Sequence, residues 1–297
     1  MKLVRYFHPA TGVAWGFVDE DEVHPLATGS GAETFLTALL QWPDPVAVVR
    51  SQVRRSEAPL SLGALADGAP DPATPHLLPP LDRQEVWAAG VTYLRSKVAR
   101  MEESEGAARC YDLVYDADRP ELFYKGSATR TVGPGAPIRI RQDARWNVPE
   151  PELALLLAPS GRRVGYTLGN DVSSRDIEGA NPLYLPQAKV YRQSCALGPA
   201  ILLEPDPAEH REFPIALSIQ RGGAVVFAGE TTTGRMKRSF AELAAWLFRD
   251  NVFPHGVFLL TGTGIVPGEE FTLLPGDRVT IASPPIGTLA NDVIQGP

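Results

Sequence analysis

The chain has 297 residues and a formal net charge of −7, with 44% hydrophobic and 21% charged residues. That length allows one large domain, or one with a small companion, and the composition is that of a globular protein. The acidic balance excludes a basic face for nucleic acid or anionic lipid, no apolar run is long enough to span a bilayer, and the charged start Met1-Lys2-Leu3-Val4-Arg5 lacks the apolar core of a secretory signal.

Residues 2–7 and 13–18 flank Pro9-Ala10-Thr11-Gly12 and predict a β-hairpin. Glu33 to Leu40 reads as a short helix. Asp44-Pro45 starts a second one, with Asp as cap and Pro at the first helical position, and Val46, Val49 and Val53 share its face. From Ala58 to Pro80 the chain is rich in Pro, Ala and Gly. This stretch reads as a linker that closes a small N-terminal domain over 1–80, with the main domain over 81–297. Val86 to Val91 predicts a buried strand, followed by a polar helix from Leu94 to about Ser104. Along Arg119 to Lys125, strand alternation puts Glu121, Phe123 and Lys125 on one face, although the plain reading leaves both charges in solvent.

Glu150 and Glu152 are two residues apart, and an extended strand points both to one face. Pro149 and Pro151 remove two backbone donors, which predicts an edge strand or a bulge. The apolar run Leu153 to Leu157 then enters a core. Two carboxylates at the rim of a core repel, so one takes up a proton or a cation sits between them; otherwise they are solvated. Val164 to Leu168 pairs back on Leu153 to Leu157 across Pro159-Ser160-Gly161 and returns Asp171 to the two glutamates. Three such oxygen donors suit Mg2+, Mn2+ or Ca2+ rather than zinc. Lys189 follows Leu185-Pro186-Gln187-Ala188, a mostly apolar context.

The remainder is all-β in pattern. Ile215 to Ile219 and Ala224 to Ala228 flank the turn Arg221-Gly222-Gly223. Ser239-Phe240-Ala241-Glu242 is a capping box for a helix to about Phe248. Val257 to Leu260 leads into the glycine-rich turn Thr261-Gly262-Thr263-Gly264, which is either a plain tight turn or a source of backbone N–H groups and a hydroxyl for an anion, and Arg278 to Ala282 is a further strand. None of the five histidines lies in the carboxylate or lysine stretches, so no zinc site or Ser-His-Asp triad is supported. The two cysteines, Cys110 and Cys195, make no disulfide framework and suit a cytoplasmic protein. Cys195 reads as a small buried hydrophobe.

Pro149-Glu150-Pro151-Glu152-Leu153, Gly169-Asn170-Asp171-Val172-Ser173-Ser174-Arg175-Asp176, Lys189 and Leu260-Thr261-Gly262-Thr263-Gly264 resemble, in order and spacing, the fumarylacetoacetate hydrolase superfamily. The resemblance runs from about Val86 to the C-terminus, and Asn170 to Arg192 is most similar to the 2-keto-3-deoxypentonate (2-dehydro-3-deoxy-D-arabinonate) dehydratase branch. It implies a mainly β (α+β) protein, with a β-roll or sandwich catalytic domain after a small α+β N-terminal domain. It implies Mg2+, or else Mn2+ or Ca2+, on Glu150, Glu152 and Asp171, with Lys189 and Glu121 sharing the base and acid roles in either order. Substrate contacts would come from Thr263, Ser96 and Arg95, and the chain would form a homodimer or homotetramer. The implied reaction dehydrates a 2-keto-3-deoxy sugar acid to 2,5-dioxopentanoate through a metal-stabilised enolate. The hydrolases of this family use a histidine where this chain reads Tyr93 to Arg100, with Ser96 at the expected place, which argues against carbon–carbon hydrolysis. The alternatives are a metal-dependent hydrolase or decarboxylase of acylpyruvates or diketo acids, and a non-catalytic sugar-acid-binding protein.

Overall fold

The computed structural model describes residues 1–54, 57–67, 70–95, 112–204 and 211–296. The chain opens with β1 (Lys2–His8), β2 (Gly12–Asp19) and β3 (Glu22–Pro25), then α1 (Phe35–Leu39), α2 (Pro45–Ser51), β4 (Leu60–Ser61), α3 (Leu62–Asp67) and β5 (His76–Leu78). Next come β6 (Glu85–Gly90), β7 (Glu121–Gly126), β8 (Thr131–Val132), β9 (Ile138–Ile140), β10 (Asn147–Val148), β11 (Pro151–Leu157), β12 (Arg163–Asp171) and β13 (Ser173–Ser174). Two short helices, α4 (Arg175–Ala180) and α5 (Leu185–Lys189), lead to β14 (Cys195–Leu203). The chain closes with β15 (Pro214–Arg221), β16 (Ala224–Thr232), α6 (Phe240–Leu247), β17 (Val257–Leu260), β18 (Arg278–Ser283) and β19 (Gly287–Gln295).

The helix starts have the local causes read from the sequence. Asp44 Oδ1 accepts from the Ala47 N–H at 3.0 Å, and Ser239 Oγ accepts from the Glu242 N–H at 3.1 Å. The stretch 58–80 is not featureless, since it carries β4, α3 and β5. Among the described residues no helix is long and apolar enough to cross a membrane.

The large sheet runs β4-β3-β2-β1-β14-β12-β11-β17-β6-β7, with β5 on β1 and β8 on β14. A second sheet runs β16-β15-β18-β19-β9, and β10 pairs with β13 in a small ladder of their own. The fold is therefore mostly β, as expected. Strand β1 bonds to β14 with Lys2 opposite Leu202, so the N-terminal strands extend the sheet that holds β11 and β12.

Strand β11 is buried on both faces, which explains why it is a continuous apolar run rather than an alternation. Leu153, Leu155 and Leu157 pack with Ile215, Leu217, Val279 and Ile281 of the second sheet. Ala154 and Leu156 join the other cluster, with Leu36, Leu39 and Val49 of α1 and α2. Of the two expectations for this strand, edge or bulge, the edge is wrong: β11 lies inside the large sheet, between β12 and β17, and its one register shift against β12 falls at Leu156/Leu157, away from the prolines. Both prolines fit because of where they fall. Pro151 is the first residue of β11, and Pro149 lies between the small ladder and the large sheet, so no interior ladder donor is lost.

Replacing Leu155, which is fully buried, by alanine removes contacts that the flanking strands cannot easily refill. Leu155→Ala is expected to destabilise the protein by about 2–5 kcal/mol, read as a shift of the urea unfolding midpoint.

Candidate active site

Strand β12 returns antiparallel to β11, with Leu153 opposite Leu168 and Glu152 opposite Gly169. The Asp171 N–H donates to the Glu150 carbonyl at 3.0 Å, so the hairpin sets Asp171 beside the two glutamates. Each of the three carboxylates offers an oxygen within 4.8 Å of the others, and all three residues are buried. A buried, all-oxygen, strongly negative donor set fits a hard divalent cation. Glu152 shows the strain of this crowding. Desolvation, then Asp171 and Glu150, push its carboxyl well above the usual carboxylate range, while Lys189 and the Gly262 N–H oppose them.

The protein ties down one oxygen of each carboxylate. Arg175 Nη2 lies 2.8 Å from Glu150 Oε1, which also accepts from Ser173 Oγ at 2.9 Å. Lys125 Nζ lies 2.5 Å from Asp171 Oδ1. The Gly262 N–H donates to Glu152 Oε2 at 2.6 Å. Gly262 has φ +92°, and a Cβ there would fall 2.0 Å from Thr92 Oγ1, so only glycine brings this N–H so close.

Lys189 ends α5. Its Nζ is 2.9 Å from both Glu150 Oε2 and Asp171 Oδ2, donates to Ser173 Oγ at 2.6 Å, and sits 5.6 Å from the centre of the Phe123 ring. Its surroundings are thus charged and polar rather than mostly apolar. The helix ends at this residue, and the side chain reaches across to β12, away from its own sequence neighbours. On β7 the alternation holds: Phe123 lies by Lys189 and Lys125 against Asp171. Glu121 packs on β6, where a Cβ at Gly90 would fall 1.9 Å from its Oε2.

Two of the three residues expected to contact substrate, Thr263 and Arg95, make hydrogen bonds within the chain. The Thr263 hydroxyl donates to the Ile265 carbonyl at 3.1 Å and accepts from the Ile265 N–H at 3.2 Å, so it closes its own turn. Arg95 Nη2 donates to the Val266 carbonyl at 3.4 Å. Ser96, like most of the helix expected after it, lies outside the described residues. Cys195 is buried, its thiol pushed up to about 12 by desolvation, in keeping with an inert side chain. Sequence reading leaves Lys125, Arg175 and Ser173 without a role, although Lys125 carried a usable signal in the Glu121, Phe123, Lys125 alternation. The turn at Gly262 read as a source of N–H donors for an anion, and the anion its N–H meets is the Glu152 carboxylate.

Without metal, Glu152 is a proton acceptor held above its unfolded value. Its protonated form favours the folded state below the unfolded carboxylate range, and that stability is lost as pH rises towards the folded value. In chelator, Glu152→Gln is therefore expected to melt higher than the parent at neutral pH. The gain should vanish as pH falls towards the ordinary glutamate range, which melting curves across pH would read.

The family model "Fumarylacetoacetate (FAA) hydrolase C-terminal" matches residues 85–294. A probable 2-keto-3-deoxyxylonate dehydratase of Haloferax volcanii is 49% identical over 218 residues, covering 73% of this chain and 75% of that protein. A 2-dehydro-3-deoxy-D-arabinonate dehydratase of Saccharolobus solfataricus is 43% identical over 217 residues, covering 72% and 73%. The solved structure of 2-keto-3-deoxy-D-arabinonate dehydratase complexed with magnesium and 2,5-dioxopentanoate superposes with a TM-score of 0.83 at 34% identity, covering 100% of this chain and 99% of that one. With the matched model spanning most of the chain and relatives this similar, the chain belongs to the fumarylacetoacetate hydrolase family.

Proposed function

We propose that this chain is a hydro-lyase that removes water from a 2-keto-3-deoxypentonate to give 2,5-dioxopentanoate. The observation that carries this reading is the Lys189 amine, set 2.9 Å from two carboxylates of a buried oxygen-donor triad. The relatives named as dehydratases, and the magnesium and 2,5-dioxopentanoate in the similar structure, support the same reaction. Glu150, Glu152 and Asp171 would hold Mg2+, with Mn2+ or Ca2+ as the other hard ions of this class. When bound, the ion supplies Lewis-acid stabilisation of negative charge on the substrate's carboxylate and 2-oxo oxygens.

The chain's own residues then move the protons. Lys189 takes the C3 proton as that C–H bond breaks. Glu121 protonates the C4 hydroxyl, and the C4–O bond breaks to release water. Moving one proton from C5 to C3, and the enol proton to C4, converts the unsaturated alcohol to the aldehyde. Atoms balance, and no oxidant is needed. Burial of the triad and of Lys189 keeps bulk water from the basic amine. A cytoplasmic homodimer or homotetramer completes the proposal. The edge strand β16, with Val225 and Val226 in solvent, supports self-association.

The test is incubation with 2-keto-3-deoxypentonates, with Mg2+ and after chelation. Aldehyde formation that requires the cation is expected; cleavage of a diketone in its place, or no turnover, overturns the reading. Lys189→Met is expected to lower turnover by about 10²–10⁴-fold with KM nearly unchanged. Exchange of the substrate C3 hydrogens with deuterated water should fall in parallel.

A further inference from the structure

Lys125 is as deeply buried as Lys189, yet its surroundings differ in kind. Three protein oxygens surround its Nζ. Asp171 Oδ1 lies at 2.5 Å, and the amine donates to the Val172 carbonyl at 3.0 Å and to the Lys189 carbonyl at 2.5 Å. An ammonium has three N–H donors and no acceptor. Of the three oxygens, two are carbonyls that accept its hydrogen bonds, and the third is the carboxylate oxygen of an ion pair. Lys189 Nζ, by contrast, faces the carboxylate oxygens that the other cations leave open.

The three oxygens around Lys125 come from parts of the chain that must be held in register. Asp171 ends β12, Val172 follows it, and Lys189 ends α5. Helix α5 has only five residues and cannot hold its place by its own backbone bonds. The Lys189 carbonyl is fixed from outside, by Lys125 Nζ and by Ser194 Oγ at 2.9 Å. Asp171 is divided between the two lysines: Oδ1 faces Lys125 and Oδ2 faces Lys189. A carboxylate whose one oxygen is held by a buried cation is not free to turn. The oxygen it presents to the centre is thereby chosen.

We propose that Lys125 is a positioning residue of this site, which selects the Asp171 oxygen turned to the centre and anchors the backbone of Lys189. It acts through those two residues. Its part in turnover rests on the dehydratase reading above, whereas its geometric part does not.

The test is Lys125→Met, a substitution of similar length without charge or donors, examined by crystallography and by steady-state kinetics in saturating Mg2+. The Asp171 Oδ2 to Lys189 Nζ distance is expected to open beyond about 3.5 Å, out of hydrogen-bond reach. The kcat should fall about 100-fold, the scale of an ångström-sized misplacement, with KM within about threefold. An unmoved Asp171, or a parental kcat, overturns the proposal. Should Lys125→Met not fold, Lys125→Arg replaces it, since that variant keeps the charge but changes the donor geometry. A kcat reduced about tenfold or more, with Asp171 displaced, is then expected; full activity overturns it, because charge alone would suffice. If the parent protein does not dehydrate any 2-keto-3-deoxypentonate while Lys125→Met still displaces Asp171, the functional reading falls and the positioning role stands.

Discussion

Three carboxylates buried within 4.8 Å of one another are the constraint on which the rest of this structure depends. Taking charged groups out of water is costly, and like charges at this range make it costlier. The fold answers with three buried cations, Lys125, Lys189 and Arg175, and with the N–H of Gly262. Even so, Glu152 remains under pressure to hold a proton, which leaves the site suited to a further positive charge. An assembly of this kind survives only if its geometry is held firmly, since any one unpaired member would be expensive to keep.

The two sheets supply that firmness. Strands β11 and β12 lie inside the large sheet, and the apolar faces of β11 pack against the second sheet on one side and α1 and α2 on the other. The polar ends of the hairpin leave the large sheet at Pro151 and Asp171 and continue into the β10–β13 ladder, where Val148 faces Ser173. The carboxylates therefore stand where a rigid core gives way to a short, polar ladder. Two glycines mark the closest approaches: Gly262 admits its own N–H to Glu152, and Gly90 leaves room for the carboxyl group of Glu121.

The paired lysines show how one residue type takes two roles through its surroundings. Lys125 is enclosed by a carboxylate and two carbonyls, an arrangement that holds an ammonium in place. Lys189 meets two carboxylate oxygens and a hydroxyl, which suits proton transfer in the dehydration proposed above. The absence of histidine from Tyr93 to Arg100 fits a site whose proton transfers run through lysine and glutamate.

Local chemistry determined much of this protein. The hairpins, the Asp44 and Ser239 caps, and the pairing of Leu153 to Leu157 with Val164 to Leu168 follow from strand period and turn residues, and that pairing was enough to bring Asp171 to Glu150 and Glu152. Sequence resemblance added the family and agreed with the carboxylate triad that the spacing had suggested. What the sequence could not determine depended on contacts between distant segments. Pro149 and Pro151 suggested an edge or a bulge, but only the assembled sheet shows β11 between β12 and β17. The sequence could not tell that the Thr263 hydroxyl closes its own turn, nor that the neighbouring Gly262 N–H reaches Glu152. The plain reading left Lys125 in solvent, against the strand alternation that set it on one face with Glu121 and Phe123, and Arg175 carried no role. Both become buried counter-cations because the sheet and α4 bring them to carboxylates 46 and 25 positions away in the chain. Period and turn chemistry act over a few residues, while the balance of charge in a buried site is decided by whatever the folded backbone brings within a few ångströms.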